Sequence, residues 1–229
     1  MKAGAVITAA GESKRMGGVD KVFSPLCGRL VLERVIETFQ NCDLIDQIVV
    51  VLSERNLERG KELVADHDWR KVSDVCVGGS RRQDSVLAGI NRLNHFDQVV
   101  IHDGARPLVT EDLIKRGLEA ARETGAAVAA VPVTDTIKVA GEGGFVHQTP
   151  PRQNLWAVQT PQVFRLDILE EAYHQAKGEV TDEATLVEQL GYKVRLYMGA
   201  YDNIKITTPE DMAIAEILCK AVDKHRRIS

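Results

Sequence analysis

Short apolar runs alternate with helical patterns along most of this chain, and this alternation constrains the fold more than any other feature. Between the runs, apolar residues recur at helical spacing. The runs cover about residues 3–9, 47–52, 73–77, 98–102 and 126–133, and two helical stripes are Val31, Leu32, Val35, Ile36 and Phe39, and Val86, Leu87, Ile90 and Leu93. Strands that alternate with helices indicate parallel βαβ units. We therefore expect one α/β domain over residues 1–229, with a mostly parallel mixed sheet covered by helices on both faces.

Residues 134–159 interrupt the alternation. Short extended pieces flank Gly141-Glu142-Gly143-Gly144, and Pro150-Pro151 follows them. This pattern predicts a protruding β-hairpin arm with a Gly-rich tip, and a mobile surface loop is the alternative. A hairpin exposes its strand edges unless another segment pairs with them, so the pattern favours a partner subunit.

Composition argues against several classes of protein. The net charge of −4 disfavours general nucleic-acid binding, and the longest apolar stretches are too short to span a membrane. The N-terminus has no signal-peptide pattern, and the four cysteines are irregularly spaced, as is typical of thiols in a reducing compartment. We expect a cytoplasmic protein that binds neither nucleic acid nor membrane.

Chemistry-bearing residues follow the first apolar run. The small residues Ala9, Ala10 and Gly11 precede two cations, Arg15 and Lys21. Gly11 lets the backbone approach a ligand, and N–H groups of such a turn donate to phosphate oxygens. The segment matches neither the Walker loop nor GxGxxG. Taken alone, it is equally compatible with a phosphate-binding loop and with an ordinary strand–turn–helix junction.

Similar groups stand near other strand patterns. Residues 78–85 and 103–107 follow apolar runs, and Asp202 to Lys205 lie in a late strand pattern. Ligands of open α/β sheets bind outside the carboxyl ends of the strands. These segments are therefore expected to meet at one site.

Taken together, the segments resemble the 2-C-methyl-D-erythritol 4-phosphate cytidylyltransferase family from about Ala3 to Ala215. The motifs that carry the resemblance are AAGxxxRM with Lys21, GGxxRxxSV at 78–86, HDGARP at 102–107, DTIK at 135–138, TPQ at 160–162, TDEA at 181–184 and DNIKIT at 202–207. The resemblance implies a Rossmann-like domain, a homodimer joined through an arm at about 134–159, and transfer of a cytidylyl group from CTP to a polyol phosphate. Ribitol-5-phosphate cytidylyltransferases share much of this pattern, so ribitol 5-phosphate is the alternative acceptor.

The resemblance assigns catalytic roles to four cations. Arg15 and Lys21 hold the α-phosphate and the leaving pyrophosphate, while Lys205 and Arg152 bind the phosphate of the acceptor. That phosphate is already ionised near neutral pH, so positioning and electrostatics dominate over general-base catalysis. The intact cation set disfavours the remaining alternative, a non-catalytic nucleotide-binding regulator.

The same resemblance supplies the other expected contacts. CTP-binding positions are Ala9, Ala10, Gly11, Gly79, Arg82, Ser85, Asp103 and Ala105. Acceptor-binding positions are Arg106, Thr136, Thr160 and Thr181. Mg²⁺ is expected to bridge triphosphate oxygens, with Asp103 as the first candidate ligand from the protein and Asp202 as the second.

Structural alternatives exist for several of these positions. Ser85 and Thr181 are also candidate helix caps, and either aspartate suits a turn at a strand end. His102 is expected to support packing or the loop. Asp20 stands where the family commonly has Pro before the loop lysine, and this departure is expected either to loosen the loop or to place an anion beside Lys21. Thr8 stands where the family usually has Pro or a similar apolar residue.

Overall fold

The computed structural model of the chain describes residues 2–11, 20–175 and 178–226. The strands in chain order are β1 (Ala3–Ala9), β2 (Pro25–Leu26), β3 (Arg29–Leu30), β4 (Gln47–Leu52), β5 (Val72–Val77), β6 (Gln98–Asp103), β7 (Ala126–Pro132), β8 (Val139–Ala140), β9 (Val146–Gln148), β10 (Trp156–Arg165) and β11 (Arg195–Met198). The α-helices are α1 (Val31–Asn41), α2 (Leu57–Ala65), α3 (Arg82–Ile90), α4 (Glu111–Thr124), α5 (Leu166–Gln175), α6 (Glu183–Gln189) and α7 (Pro209–Arg226).

A seven-stranded sheet in the order β11-β7-β10-β6-β1-β4-β5 forms the centre of the fold. Strand β1 runs parallel to β4 and β6, β4 runs parallel to β5, and β7 runs parallel to β11. Strand β10 is antiparallel to both of its neighbours, β6 and β7. The expectation of a mostly parallel mixed sheet is confirmed.

Helices cover both faces of this sheet. Alternate residues of β1 point to opposite faces, so Ile7 belongs to one core cluster and Val6 to another. The first cluster includes apolar residues of α1 and α4, and the second includes residues of α3, α5 and α6. Burial on both faces explains why the central strands read as continuous apolar runs.

The sequence pattern missed β10 and β11. Strand β10 carries three buried polar residues, Gln159, Thr160 and Gln162, and its register with β7 shifts between Val158 and Gln162. Because of these polar residues, β10 does not read as a continuous apolar run in the sequence. The late strand expected around 202–205 is wrong, because that segment is irregular and the strand lies earlier, at β11.

The predicted hairpin is present. Strands β8 and β9 pair in antiparallel fashion, and the turn between them has positive φ at Gly143 and Gly144, at 68° and 79°. Residues 134–149 are exposed throughout. In the part of the chain that is described, no helix combines the length and apolar character needed to cross a membrane.

Candidate active site

A cleft of about 580 Å³ opens at the carboxyl ends of β1, β4, β5 and β6. Its lining residues come from these strand ends, from the turn after Asp20, from the start of α3 and from the segment before α7. They are Thr8, Ala9, Ala10, Gly11, Lys21, Val22, Ser53, Glu54, Val77, Gly78, Gly79, Ser80, Arg81, Arg82, Ser85, Asp103, Ala105 and Lys205.

Three cations surround the buried carboxylate of Asp103 in this cleft. The Lys205 ammonium lies 2.8 Å from Oδ2, and Arg106 Nε lies 3.5 Å from the same oxygen. Arg82 Nε lies 3.5 Å from Oδ1. Burial alone would raise the pKa of Asp103, but Lys205, Arg82 and Arg106 outweigh it and hold that pKa well below its usual range. Asp103 is therefore an anion at neutral pH.

Arg82 links this carboxylate to a second buried acid. Its Nη1 donates to Glu183 Oε2 at the start of α6, while its Nε faces Asp103. Glu183 is fully buried and also accepts a hydrogen bond of 3.3 Å from the Tyr173 hydroxyl. Burial lowers the pKa of Arg82, but the two carboxylates raise it by more, so the guanidinium stays charged.

Thr160 joins Asp103 to His102 through hydrogen bonds. The Thr160 hydroxyl accepts a hydrogen bond of 3.0 Å from the Asp103 N–H and lies 3.1 Å from His102 Nδ1. His102 Nε2 lies 3.2 Å from the Arg106 carbonyl, which only accepts, so Nε2 carries the proton and Nδ1 accepts from Thr160. Thr160, expected at the acceptor, thus has its hydroxyl engaged inside the protein.

Hydrogen bonds join the segment before α7 to the loop after β6. The Ile206 N–H donates to the Ala105 carbonyl at 2.9 Å, and Arg106 Nη1 donates to the Asn203 carbonyl at 2.7 Å. Asn203 is fully buried, and its Nδ2 donates to the Thr160 carbonyl at 2.8 Å. These bonds fix the backbone on both sides of Lys205.

The two glycines after β5, Gly78 and Gly79, are packed closely against neighbouring side chains. A Cβ on Gly78 would stand 2.5 Å from Ser85 Oγ and 2.7 Å from Ala10 Cβ. The Ser85 hydroxyl lies 3.2 Å from the Arg81 carbonyl and does not cap α3, because the Asp84 carboxylate accepts the Arg81 N–H at 3.2 Å. Ser85 therefore does not serve as the alternative helix cap, and it lines the cleft as the base-contact prediction requires.

All eight positions expected to bind CTP, and two of the four expected catalytic cations, line this cleft. The cleft is lined by the following residues that the sequence assigned to the site: Ala9, Ala10, Gly11, Lys21, Gly79, Arg82, Ser85, Asp103, Ala105 and Lys205. Arg106 lies directly behind, against Asp103. Arg15 falls outside the described residues.

Four expected site residues are exposed and do not line the cleft as the described residues define it: Thr136, Arg152, Thr181 and Asp202. Arg152 and Thr136 belong to the arm, where Arg152 Nη1 donates to the Thr134 carbonyl. The cap expectation for Thr181 is wrong, since Asp182 caps α6 by accepting the Thr185 N–H at 3.1 Å.

Sequence reasoning missed several residues that shape the site. Glu54 and Ser53 reach the cleft only because β4 ends beside β1, and Glu183 reaches Arg82 across the fold. Glu183 lies inside the TDEA motif, so the motif itself was a usable signal. Ser53 and Glu54 follow the apolar run 47–52, which placed them at a strand end.

Comparisons with known proteins agree with this geometry. The family model described as 2-C-methyl-D-erythritol 4-phosphate cytidylyltransferase matches residues 3–221. A protein of that name from Dehalococcoides mccartyi is 52% identical over 219 residues, which are 96% of this chain and 96% of the relative.

Solved structures resemble the fold over almost its whole length. The 4-diphosphocytidyl-2C-methyl-D-erythritol synthase of Anaerococcus prevotii superposes with a TM-score of 0.86 at 30% identity, covering 96% of each chain. The 2-C-methyl-D-erythritol 4-phosphate cytidylyltransferase of Thermus thermophilus gives a TM-score of 0.77 at 34% identity, covering 96% of this chain and 100% of the other. This chain belongs to the 2-C-methyl-D-erythritol 4-phosphate cytidylyltransferase family.

Proposed function

We propose that this chain transfers the cytidylyl group of CTP to 2-C-methyl-D-erythritol 4-phosphate, forming 4-diphosphocytidyl-2-C-methyl-D-erythritol and pyrophosphate. An oxygen of the acceptor's phosphate forms a bond to the α-phosphorus, and the bond from that phosphorus to the pyrophosphate oxygen breaks. Family membership over residues 3–221 supports this reaction and favours it over ribitol 5-phosphate as the acceptor.

The observation that carries the proposal is the pair of lysines in one cleft. Lys21 precedes α1 and Lys205 precedes α7, yet both line the cavity at the carboxyl ends of the strands. Reacting phosphates repel one another, and cations placed between them lower this repulsion as negative charge develops on the leaving pyrophosphate. We assign Lys21, with Arg15, to the triphosphate and Lys205 to the acceptor's phosphate.

The described side chains support catalysis by positioning and charge. His102 is the histidine of the HDGARP motif, but burial lowers its pKa to about 4 and both of its ring nitrogens are engaged. Asp103 is ionised and ion-paired. Neither group is poised as a general base, which suits an acceptor phosphate that is already an anion.

Lys205 is well placed to exchange one anion for another. Its side chain is 40% exposed whereas that of Asp103 is 9% exposed, so the lysine is the partner that solvent and ligands reach. When a phosphate enters, the ammonium can turn towards it while Arg82 and Arg106 remain beside Asp103.

We propose that Mg²⁺ accompanies CTP. Among the described residues, no group of three or more His, Cys, Asp or Glu side chains is arranged to hold a metal. The site nevertheless fits Mg²⁺, which is commonly bound through one or two carboxylates together with substrate phosphates and water. Asp103 supplies such a carboxylate, and the metal would neutralise triphosphate charge when bound. Asp202 is exposed away from the cleft lining, so its assignment stays a prediction.

We propose that the arm joins two copies of the chain. Its apolar residues Phe145 and Val146 are 80% and 60% exposed. Val158 on β10 and Met198 on the edge strand β11 are also exposed, and both pair with Ala130 of β7. A partner subunit would cover this surface and could receive Arg152 and Thr136 at its own cleft.

The four cysteines are free thiols, three of them buried, and we propose a reducing cytoplasmic location on that ground.

The reaction itself is tested by mixing the protein with CTP, Mg²⁺ and 2-C-methyl-D-erythritol 4-phosphate and measuring pyrophosphate. We expect release that requires all components and falls by roughly 10²–10³-fold in Lys21→Ala. Absence of release from the wild-type protein would reject the proposal.

A further inference from the structure

Lys21 begins a short turn whose far end is anchored in the core. The 3₁₀ turn Lys21–Phe23 places Val22 and Phe23 in the core cluster that contains Ile7 and residues of α1 and α4, where each is only 3% exposed. The position of Lys21 in the cleft therefore depends on what holds the beginning of this turn, at Asp20.

Asp20 caps the turn and has both carboxylate oxygens engaged. Its Oδ1 accepts the Val22 N–H at 3.3 Å, and its Oδ2 accepts a hydrogen bond from Asn56 Nδ2. The Asp20 carbonyl accepts from the Ser24 hydroxyl at 2.9 Å. Asp20 has φ of −78°, inside the range that a proline would impose, so hydrogen bonds hold a backbone conformation that a ring would otherwise fix.

Asn56 comes from a different part of the fold. It ends the 3₁₀ turn Glu54–Asn56, which follows β4 at the rim of the cleft, and its N–H donates to the Ser53 carbonyl at 2.9 Å. Three residues later, the Arg59 guanidinium lies 4.4 Å from the centre of the Phe23 ring. The connection after β4 and the first turn of α2 thus contact the Lys21 turn at both of its ends.

The chemistry of Asn56 suits this place. A carboxylate freed from Asn56 would be available to the neighbouring Lys21 ammonium and would compete with phosphate for it, because an anion within about 4–6 Å of a cation favours its charged form. The Asn56 amide donates to that carboxylate without adding charge. An aspartate at position 56 would repel Asp20, and an alanine would release Oδ2.

We infer that Asn56 is a positioning residue for the proposed catalytic Lys21, acting through Asp20. The inference rests on the proposed function for the role of Lys21, while the placement of the Lys21 side chain can be tested without turnover.

The kinetic test compares Asn56→Ala with Arg55→Ala, an exposed neighbour in the same turn. Asn56→Ala should lower kcat about 10-fold with a smaller change in the KM for CTP, since loss of one hydrogen bond to a charged group is of this order. Asn56→Asp should lower it further. Arg55→Ala should behave as wild type.

Two double variants separate positioning from general damage. If Asn56 acts through Asp20 on Lys21, Asn56→Ala should have no further effect on kcat when Asp20→Ala or Lys21→Ala is already present. An equal loss in the Lys21→Ala background would overturn the inference. So would full activity of Asn56→Ala.

A measurement without substrate completes the test. Reductive ¹³C-methylation gives the Lys21 amine an NMR signal that is assigned by its loss in Lys21→Ala. Asn56→Ala should move this signal and raise the pKa of the amine, because the released Asp20 carboxylate stabilises the ammonium. An unchanged signal and titration would reject the inference even if the wild-type protein showed no transferase activity, whereas a changed signal without turnover would count against the proposed function alone.

Discussion

The Lys205 ammonium lies 2.8 Å from Asp103 Oδ2, so the segment before α7 closes onto the end of β6 through one ion pair. The two partners differ in access, because the lysine side chain is 40% exposed and the aspartate side chain is 9% exposed. The backbone on either side of Lys205 is fixed by bonds to Ala105 and Arg106. This relationship places a movable cation on a rigid base at the edge of the cleft.

Replacing Lys205 with alanine should therefore damage acceptor use more than folding. We expect a higher KM for the acceptor and a kcat lowered by roughly 10²-fold, with a smaller change in the KM for CTP. Steady-state kinetics with each substrate varied in turn checks this. Lys220→Ala, on the exposed side of α7, is the matched control and should leave all three constants unchanged.

Asp103→Asn should destabilise the fold at neutral pH, because it leaves three cations without their shared anion. Two of these partners are partly exposed, so we expect a loss of about 2–3 kcal/mol in the free energy of unfolding. The pKa of Asp103 is lowered in the fold, so the wild-type advantage is present above about pH 4 and declines below it. Denaturant unfolding at pH 7 and pH 3 measures the gap, and a gap of equal size at both would contradict this account.

His102 should stay neutral throughout the range in which an ordinary histidine titrates. Burial lowers its pKa to about 4, so the unfolded chain binds more protons than the folded one as pH falls below the ordinary value of about 6.5. His102 thus contributes stability near neutral pH that is lost between about pH 6.5 and pH 4. Imidazole NMR should show Nε2 protonated and no titration of His102 above pH 5, and a midpoint near 6.5 would refute the assignment.

The arm predicts a site shared between two subunits. If Arg152 serves the partner's cleft, refolding Lys21→Ala together with Arg152→Ala creates mixed dimers that each contain one intact site and one doubly damaged site. Random pairing makes about half of the dimers mixed, so roughly a quarter of all sites should work. Pyrophosphate release before and after mixing is the measurement.

The opposite arrangement has a distinct outcome. If Arg152 serves the cleft of its own chain, every site in a mixed dimer lacks one cation. Activity then stays at the level of the separate variants, although native mass spectrometry of differently tagged chains shows that mixed dimers have formed.

The central strands were predictable because burial on both faces makes them continuous apolar runs, which are visible in the local sequence. Strands β1 and β4 are apolar and buried on both faces, and their predicted bounds match the structure. Strand β10 was not predictable in the same way, since Gln159 and Gln162 are buried by partners that only the fold supplies. Gln159 Nε2 donates to the Ala200 carbonyl, and Gln162 Nε2 donates to the Asp182 carboxylate.

The site was predictable as a set of motifs but not as a network. Motif order located Asp103, Arg82 and Lys205, and the structure brings them together. The partner of Arg82 at Glu183 stands 101 positions further along the chain, and no local pattern links the two. Asn56 lies outside every motif, so its contact with Asp20 could be found only from the fold.

The central claim is the identity of the reaction, and a direct comparison of two acceptors tests it best. The measurement is kcat/KM for pyrophosphate release from CTP with 2-C-methyl-D-erythritol 4-phosphate and with ribitol 5-phosphate, under identical conditions. We predict a value at least about 100-fold higher for the methylerythritol phosphate, equivalent to about 2.7 kcal/mol of transition-state discrimination. A higher value for ribitol 5-phosphate would contradict the proposed acceptor, and no release with either would contradict the proposed reaction.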